Sequence, residues 1–529
     1  MSDLHYFRPD WIIPTDRRLS ADVCIYGATS AGIIAAAELV RRHKSVVLLN
    51  PGRHVGGLTS GGLGWTDYGK KHVIGGMARR FYRMVGAHYG NDEEWQFEPH
   101  VASAVYAEML KEVDVEPILC QYLDKVEMAA GRIARIRLLG GLEVSARVFF
   151  DCSYEGDLMA KAGVSYHVGR EGNAKYGETL NGVQVGPYHQ FGPATVSAFV
   201  RSGDPSSGLL PFVERVDLRR HVGEADHRVQ ASNFRICMTD DPALKIPWEK
   251  PQRFREEWYE LAVRWFNAEK DKYNEQVRPD RPDLPCKFDV LPNRTAGGFR
   301  KTDTNNHGPV SSDFIGANWD YAEADYAARE KIFQDHVSYQ RGFYWLMAND
   351  PRIPERYRRA YATWGLSKDE FAASENWPPQ MYVREARRMV SDYVLTELDC
   401  MHKRRCEDPV GMGSYNLDSH NCTRFATAEG MVMNEGDVQV KPAGPYGVSY
   451  RAIVPSKKEA QNLIVPVCCS TSHIAYGSVR MEPVFMALGQ SGAAAASLAI
   501  DAAIPLQDVD YRKLRTELDR LEQVVEAKA

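Results

Sequence analysis

The sequence contains no Cys-x-x-Cys pair and no Cys/His run with metal-ligand spacing, although it has ten cysteines. Their scatter, with only Cys468 and Cys469 adjacent, reads as reduced, largely buried thiols and excludes a structural zinc site. An excess of charge is missing too: 65 Lys and Arg against 70 Asp and Glu leave a formal net charge of −5. That balance, without a basic stripe, excludes broad binding to nucleic acid or to an anionic membrane. The densest basic run, His402–Arg405, is short and followed by acids, as in a solvated loop. No apolar run approaches the roughly 20 residues that span a bilayer. The N-terminal stretch lacks the basic start, apolar core and small-residue cleavage site of a secretory signal, which fits a cytoplasmic location. Internal repeats and low-complexity tracts are also lacking.

What is there begins with "CIYGATSAGIIAAAELV", Cys24–Val40. An apolar run, Asp22–Tyr26, ends at Gly27, and Ile33–Arg42 is rich in Ala, Leu and Ile, as for a helix packed on a sheet. "SVVLLN", Ser45–Asn50, is a second β-branched run, so the segment reads as a βαβ unit with parallel strands. Gly27 and Gly32 fill the first and third glycine positions of the dinucleotide turn, while Thr29 stands at the second. A helix start attracts phosphate through its free N–H groups whatever the side chain, and the hydroxyls of Thr29 and Ser30 could add donors. At the end of the second run, where an acid commonly binds ribose, the residue is Asn50. "PGRHVGGLTSGGLGWTDYG" then places five glycines between Gly56 and Gly64, as expected where backbone approaches a flat, bulky ligand.

Later segments predict a hairpin around Gly140-Gly141 leading to a buried strand, Val148–Asp151. Two amphipathic helices are expected near 251–274 and 321–347, a strand at Asn462–Ser470, and an alanine-rich helix in "ALGQSGAAAASLAIDAA". The fold class is α/β, with a Rossmann-like, three-layer parallel sheet that is discontinuous in sequence (20–163 and 441–505). An inserted α+β substrate domain spans 164–440. The last segment, 506–529, is an amphipathic helix that docks on the body or on a second copy, so a homo-oligomer stays open.

The segments "YGATSAGIIAAA", "GRHVGGLTSGGLGWTDYG", "DCSYEGDLMAKAGVSYHVGRE", "REARRMVSDYVLT", "DSH" and "SHIAYGSVRMEPVFMALGQSGAAAASLA" resemble the FAD-dependent oxidoreductases of the glutathione-reductase-like flavoprotein class. The resemblance covers most of the chain and implies bound FAD. It implies that Gly27, Thr29, Ser30, Ala31 and Gly32 cup the pyrophosphate and that Asn50 meets the adenosine ribose. Arg53, His54, Gly56, Gly57 and Leu58 line the next stretch, with Ser60, Gly61 and Gly62 nearer the ring. It further places Val126 against the adenine, Cys152 and Ser153 at the nucleotide's other side, and Gly489, Gln490 and Gly492 at the start of the alanine helix, facing the flavin. Asn50 and Thr29 depart from the family pattern, and Asn50 puts the ribose contact in doubt. A histidine in the position of His54 is bonded to the flavin in some flavoproteins; noncovalent contact is the reading adopted here.

FAD carries the redox step, so the protein has to orient a substrate and remove a proton, for which histidine suits neutral pH. His473, at a strand end before the alanine helix, and His420, in "LDSHN", are the candidate bases; both could instead be structural. Arg480 could hold a carboxylate or an anionic flavin, or pair with an acid such as Glu482. Arg384, Arg387 and Arg388 have helical spacing and are read as pairing with domain-interface acids. Tyr154, Glu155 and Asp157 are too few convergent oxygens for a hard metal, and no metal is expected. Trp258, Trp265, Tyr344, Trp345, Trp364 and Trp377 read as core or interface. The resulting expectation is a dehydrogenase or oxidase of a small polar, carbohydrate-like molecule, with an electron acceptor the sequence does not name and no nucleic-acid or membrane partner. The alternatives are an NAD(P)H-using flavin monooxygenase, an RNA-modifying flavoprotein, and a cofactor-binding subunit without turnover.

Overall fold

The computed structural model describes residues 2–192, 195–268, 287–294 and 297–527. Its central sheet follows from the sequence around Val23. Val23 and Ile25 of strand β1 (Arg18–Tyr26) enter one core cluster while Cys24 and Tyr26 enter another, and all four are buried. A strand buried on both faces has to lie inside a covered sheet. It pairs in parallel with β2 (Val46–Leu49), Tyr26 lying opposite Leu49. The hairpin strands β3 (Leu123–Ala129), β4 (Arg132–Leu138) and β5 (Glu143–Asp151) complete the order β2-β1-β5-β4-β3. β5 runs parallel to β1, with Asp151 opposite Tyr26. A late strand, Leu463–Ile464, returns to pair in parallel with Phe149 and Phe150 of β5.

One face of this sheet is covered by helix α1 (Ser30–Arg41) and the helix Glu482–Ala502. On the other, Cys24, Tyr26, Leu49 and Phe149 cluster with Ile133 and Ile136 of β4 and with Leu158 and Met159 of the short helix Asp157–Lys161. The helix Glu482–Ala502 has the length and apolarity to cross a membrane, contrary to the sequence expectation that no run reaches that size; 94% of its apolar window is buried in the fold. The final helix, Tyr511–Arg520, buries Leu514 and Leu518 and docks on the body.

The middle of the chain forms separate, mostly antiparallel pieces. The largest sheet joins Phe288–Arg294, Arg300–Thr304, Met238–Thr239, Gly365–Ser367 and Lys245–Ile246. The long helix runs Tyr326–Asn349; it starts at 326 because the side chain of Asp325 accepts the Ala328 N–H at 2.8 Å and caps the first turn. The other expected helix is a 3-10 turn, Glu256–Tyr259, continuing as Glu260–Ala268, and its remaining stretch lies outside the described residues. Trp265, Tyr344, Trp364 and Trp377 are buried, with Trp258 and Trp345 partly so.

Two local expectations fail. "REARRMV" is not helical: it is extended, with Arg388–Met389 pairing antiparallel to Tyr166–His167. Its arginines diverge to three acids, Arg384 to Asp313, Arg387 to Asp157 and Arg388 to Glu171. The strand expected over Asn462–Ser470 is confined to Leu463–Ile464, since Pro466 has no N–H to continue a ladder.

Candidate functional site

A cavity of about 240 Å³ opens at the carboxyl ends of β1, β2 and β5. This is where open parallel sheets receive nucleotides. Its walls include Gly27, Ala28 and Thr29 after β1, Asn50–His54 after β2, and Ser153–Glu155 after β5. Gly27 has φ +103, and a Cβ there would come within 2.7 Å of the Cys152–Ser153 backbone, so only glycine permits the turn. Beyond it, the first-turn N–H groups of α1 have no intrahelical acceptor. Among sequence candidates, Gly27, Thr29, Asn50, Arg53, His54, Gly57 and Ser153 line the cavity; the donor set and bare backbone fit the adenosine diphosphate part of a dinucleotide.

The side chains, however, serve one another. Asn50 Oδ1 accepts the Ala28 N–H at 2.9 Å, and its Nδ2 donates to the carbonyls of Gly52 and His54. It therefore ties the two loops together, with its amide nitrogen already committed. Thr29 donates to the Cys152 carbonyl (2.8 Å) and Ser30 to Glu482, so neither hydroxyl is a spare phosphate donor. Ser30, Ala31 and Gly32 lie behind the cavity in α1. His54 Nε2–H donates to the Gly57 carbonyl at 2.9 Å, and burial lowers its pKa to about 4.

The glycine loop owes its composition to protein contacts as well as to a ligand. A Cβ at Gly61 would sit 2.5 Å from the Gln380 side chain, and one at Gly62 2.2 Å from the Arg235 carbonyl. Gly56 packs on Ser60 and Tyr106, Ser60 donates to the Val55 carbonyl, and the Leu58 N–H donates to Tyr154 Oη. The loop is thus pressed onto the segments carrying Arg235 and Tyr382.

Two placements are corrected. Gly489, Gln490 and Gly492 do not open the alanine helix, which starts at Glu482; they lie inside it. A Cβ at Gly489 would strike the Ala31 carbonyl at 2.5 Å, Gly492 packs on Ile464 and Phe150, and Gln490 binds the Met77 N–H and Glu38. Their work is close helix packing. Val126 lies in β3 opposite Ile136 and outside the cavity wall; the segment that meets the end of β2 is centred on Ile118, whose carbonyl accepts the Asn50 N–H.

The sequence offers Glu482, the residue at the true helix start, only as a possible partner of Arg480. Arg480 pairs with Asp418 instead, and Glu482 is a feature of this site. Its buried carboxylate receives hydroxyls from Ser30, Thr59 (2.7 Å) and Tyr154 (2.7 Å). Burial pushes its pKa up, against those three hydrogen bonds. It pins the phosphate turn, the glycine loop and the β5 loop to one point.

The three chemical candidates converge on one strand, Leu417–Ser419. Arg480 Nη2 donates to Asp418 Oδ2 at 3.0 Å, and His420 Nε2 lies 3.6 Å from the same oxygen. His420 Nδ1–H donates to Asp313 Oδ2 at 2.7 Å. His473 is held at both nitrogens, Nδ1 by Glu385 (2.8 Å) and Nε2 by Ser419 Oγ (3.1 Å). Of the two rings, only His420 has a nitrogen, Nε2, with no partner within hydrogen-bond distance among the described residues, its nearest being Asp418 Oδ2 at 3.6 Å. Burial would raise the Asp418 and Asp313 carboxyls, but His420 with Arg480 for the first, and Arg384 with His420 for the second, hold both below the usual range.

Tyr382, which the sequence reading missed, stands amid three buried guanidiniums: Arg384, Arg480 and Arg235 lie 4.5, 5.5 and 6.0 Å from its ring centre, and Arg480 bonds its hydroxyl. Arg480 Nε, Arg384 Nε and Arg235 Nη1 are buried without a hydrogen-bond partner among the described residues. Beside this cluster lies a second cavity of about 490 Å³, between Trp65–Lys70, Ser414–Asn416 and Lys441–Pro445. No group of three or more His, Cys, Asp or Glu among the described residues could hold a metal.

A protein-family model described as FAD dependent oxidoreductase matches residues 22–518. No curated protein matches the sequence. Among solved structures, the L-amino acid deaminase from Proteus vulgaris is 18% identical, covering 30% of this chain and 54% of its own, with a TM-score of 0.24. The L-proline dehydrogenase from P. horikoshii is 12% identical over 30% and 59%, TM-score 0.24, and the flavin-containing monooxygenase from Stenotrophomonas maltophilia 17% over 31% and 45%, TM-score 0.20. The chain spans about half the length of these structures.

Proposed function

The chain belongs to the FAD dependent oxidoreductase family, and from that premise we propose that it oxidises a small, neutral, polyhydroxylated molecule at the Asp313–His420–Arg480 cluster. FAD, when bound, supplies the two-electron acceptor. The protein's share is to hold the substrate and take its hydroxyl proton as the hydride leaves carbon, so that an alcohol becomes a carbonyl. The observation that carries this reading is the asymmetry between the histidines. His420 has Nδ1–H fixed by Asp313 and Nε2 beyond hydrogen-bond distance of any group among the described residues, with the Asp418 carboxylate 3.6 Å away to stabilise the imidazolium that forms. His473, occupied at both nitrogens, positions the strand through Ser419.

Charge supports the substrate class. Arg235, Arg384 and Arg480 are already matched by Asp303, Asp313 and Asp418, and Asp67 adds a fourth carboxylate. A carboxylate substrate would bring further negative charge into a buried site, a cost of several kcal/mol. The neighbouring cavity offers Trp65, Tyr68 and Tyr415 as flat walls and Asp67 and Asn416 as hydrogen-bonding groups, as a sugar-like ring requires. The inserted middle region would then act as the substrate domain, over the nucleotide-binding sheet.

The test is anaerobic mixing of the holoenzyme with neutral polyols and sugars, the matching sugar acids, and amines, followed in the flavin absorbance band. His420→Ala should keep its flavin and lose about 10²–10⁴-fold in the rate of reduction, the usual worth of a general base. His473→Ala should lose less. Equal reduction by His420→Ala and the parent would remove the assignment, and reduction by acids or amines alone would remove the substrate class.

A further inference from the structure

The residues before the family-matched region, which starts at residue 22, form part of the nucleotide cavity: Asp3, His5 and Tyr6 belong to its wall. We propose that the segment Asp3–Trp11 is a strap that clasps bound FAD, closing the cavity over the adenosine side and setting the rate at which the cofactor leaves.

The strap is fastened at both sides of the cavity. On the nucleotide side, Arg53 Nη1 donates to Asp3 Oδ1 at 2.6 Å, and the Arg53 guanidinium lies 4.6 Å from the Trp11 ring centre. Tyr122 Oη donates to the Tyr6 carbonyl (2.8 Å), and Phe7 meets Tyr122 edge-on at 4.8 Å. On the opposite side, one carboxylate of the long helix, Glu330, gathers His5 Nδ1 (2.6 Å), the Tyr6 N–H (2.7 Å) and the Phe7 N–H (2.9 Å). Gln334 adds a bond to the Leu4 carbonyl, and the Asp3 N–H donates to the Ala373 carbonyl at 2.9 Å.

Ordering a segment that joins no sheet costs conformational entropy at each residue, and it stays loose unless tied down. Here the ties run from the β2 loop, which walls the adenosine side, across to the helix Tyr326–Asn349. The other walls are the loops after β1, β2 and β5 and residues of the middle region such as Tyr321, Phe333, Ala373 and Gln380. The strap contributes no strand to any sheet, so its lifting breaks no strand pairing, although it withdraws Leu4 and Tyr6 from the core. Bound cofactor would therefore be enclosed by a wall that can be released without disrupting a sheet. Because the strap acts on the family's cofactor, its test needs no substrate and is separate from the reaction proposed above.

The experiment measures FAD release from the holoenzyme, as the rise of free-flavin fluorescence on dilution, together with the melting temperatures of holo and apo forms. The variants are Asp3→Ala with Glu330→Ala, and a chain lacking residues 2–8. Release should quicken by about tenfold or more, the effect of losing even one of the charge-assisted hydrogen bonds that the double substitution removes. The holo form should lose clearly more thermal stability than the apo form. Release within about twofold of the parent would overturn the proposal. So would an equal fall in both melting temperatures, which would make the segment a structural staple. If the shortened chain does not fold, the double substitution decides alone.

Discussion

His54 is a neutral ring at physiological pH, because burial lowers its pKa to about 4. An unfolded-chain imidazole titrates near 6.5, so between these values the unfolded state binds more protons than the folded one. Stability is therefore present above about 6.5 and lost as pH falls towards 4, by about 3 kcal/mol for the full shift. Since His54 walls the nucleotide cavity, FAD retention should decline over the same window. His54→Asn should flatten the melting-temperature profile there; a slope as steep as the parent's would place the acid lability elsewhere. The Nε2–H bond to Gly57 also bears on covalent attachment: acid-precipitated protein should be colourless, and a yellow pellet would reveal a bond through Nδ1. At this scale His420, His473 and Arg480 were legible in the sequence as candidates. Which ring stays open was not, since the deciding partners, Asp313 and Glu385, lie 107 and 88 residues away in sequence.

At the scale of elements, the crossing of α1 and Glu482–Ala502 carries the phosphate turn. Gly489 allows the contact, because a Cβ would overlap the Ala31 carbonyl. Gly489→Val should cost about 1–3 kcal/mol or more through overpacking and should weaken FAD binding by shifting the start of α1. Gly192→Ala, where nothing lies within 4 Å and which is not part of the cavity wall, is the control and should leave both unchanged. Retained melting temperature and FAD affinity in Gly489→Val would show that the helices can part without moving the turn. The βαβ unit was readable because its period and breakers are local, from Asp22 to Asn50. The "REARR" spacing misled for the same reason: three-and-four spacing satisfies a helix locally, but each buried guanidinium gains more from its own carboxylate. The glycines of the alanine helix misled in turn. Small residues suit both a ligand and a helix crossing, and the sequence does not distinguish them.

Across the whole molecule, Asp157 joins the nucleotide-binding sheet to the middle region. It takes Arg329 from the long helix at 2.7 and 2.9 Å and Arg387 at 2.8 Å. Burial alone would raise its pKa, yet these two guanidiniums hold it below the usual carboxylate value. Its stabilising effect is accordingly present at neutral pH and lost as pH falls through the folded value. Asp157→Asn leaves two buried cations short of a partner and should destabilise by about 3–5 kcal/mol, read by denaturant unfolding. An effect below about 1 kcal/mol, the range of exposed pairs, would show that the two regions do not depend on this junction.

The sequence alone determined the nucleotide turn, the parallel strands around it, the family resemblance with its cofactor, and a short set of titratable candidates. Each of these rests on residues close together in the chain, where period, glycine placement and side-chain chemistry act directly. Tertiary structure decided which hydroxyls are spent on Glu482, which histidine nitrogen is open, why the loop glycines are needed, and that residues before the matched region reach the cavity. Those outcomes depend on partners brought together from distant segments, and burial gives each polar group a single affordable arrangement that no local pattern encodes.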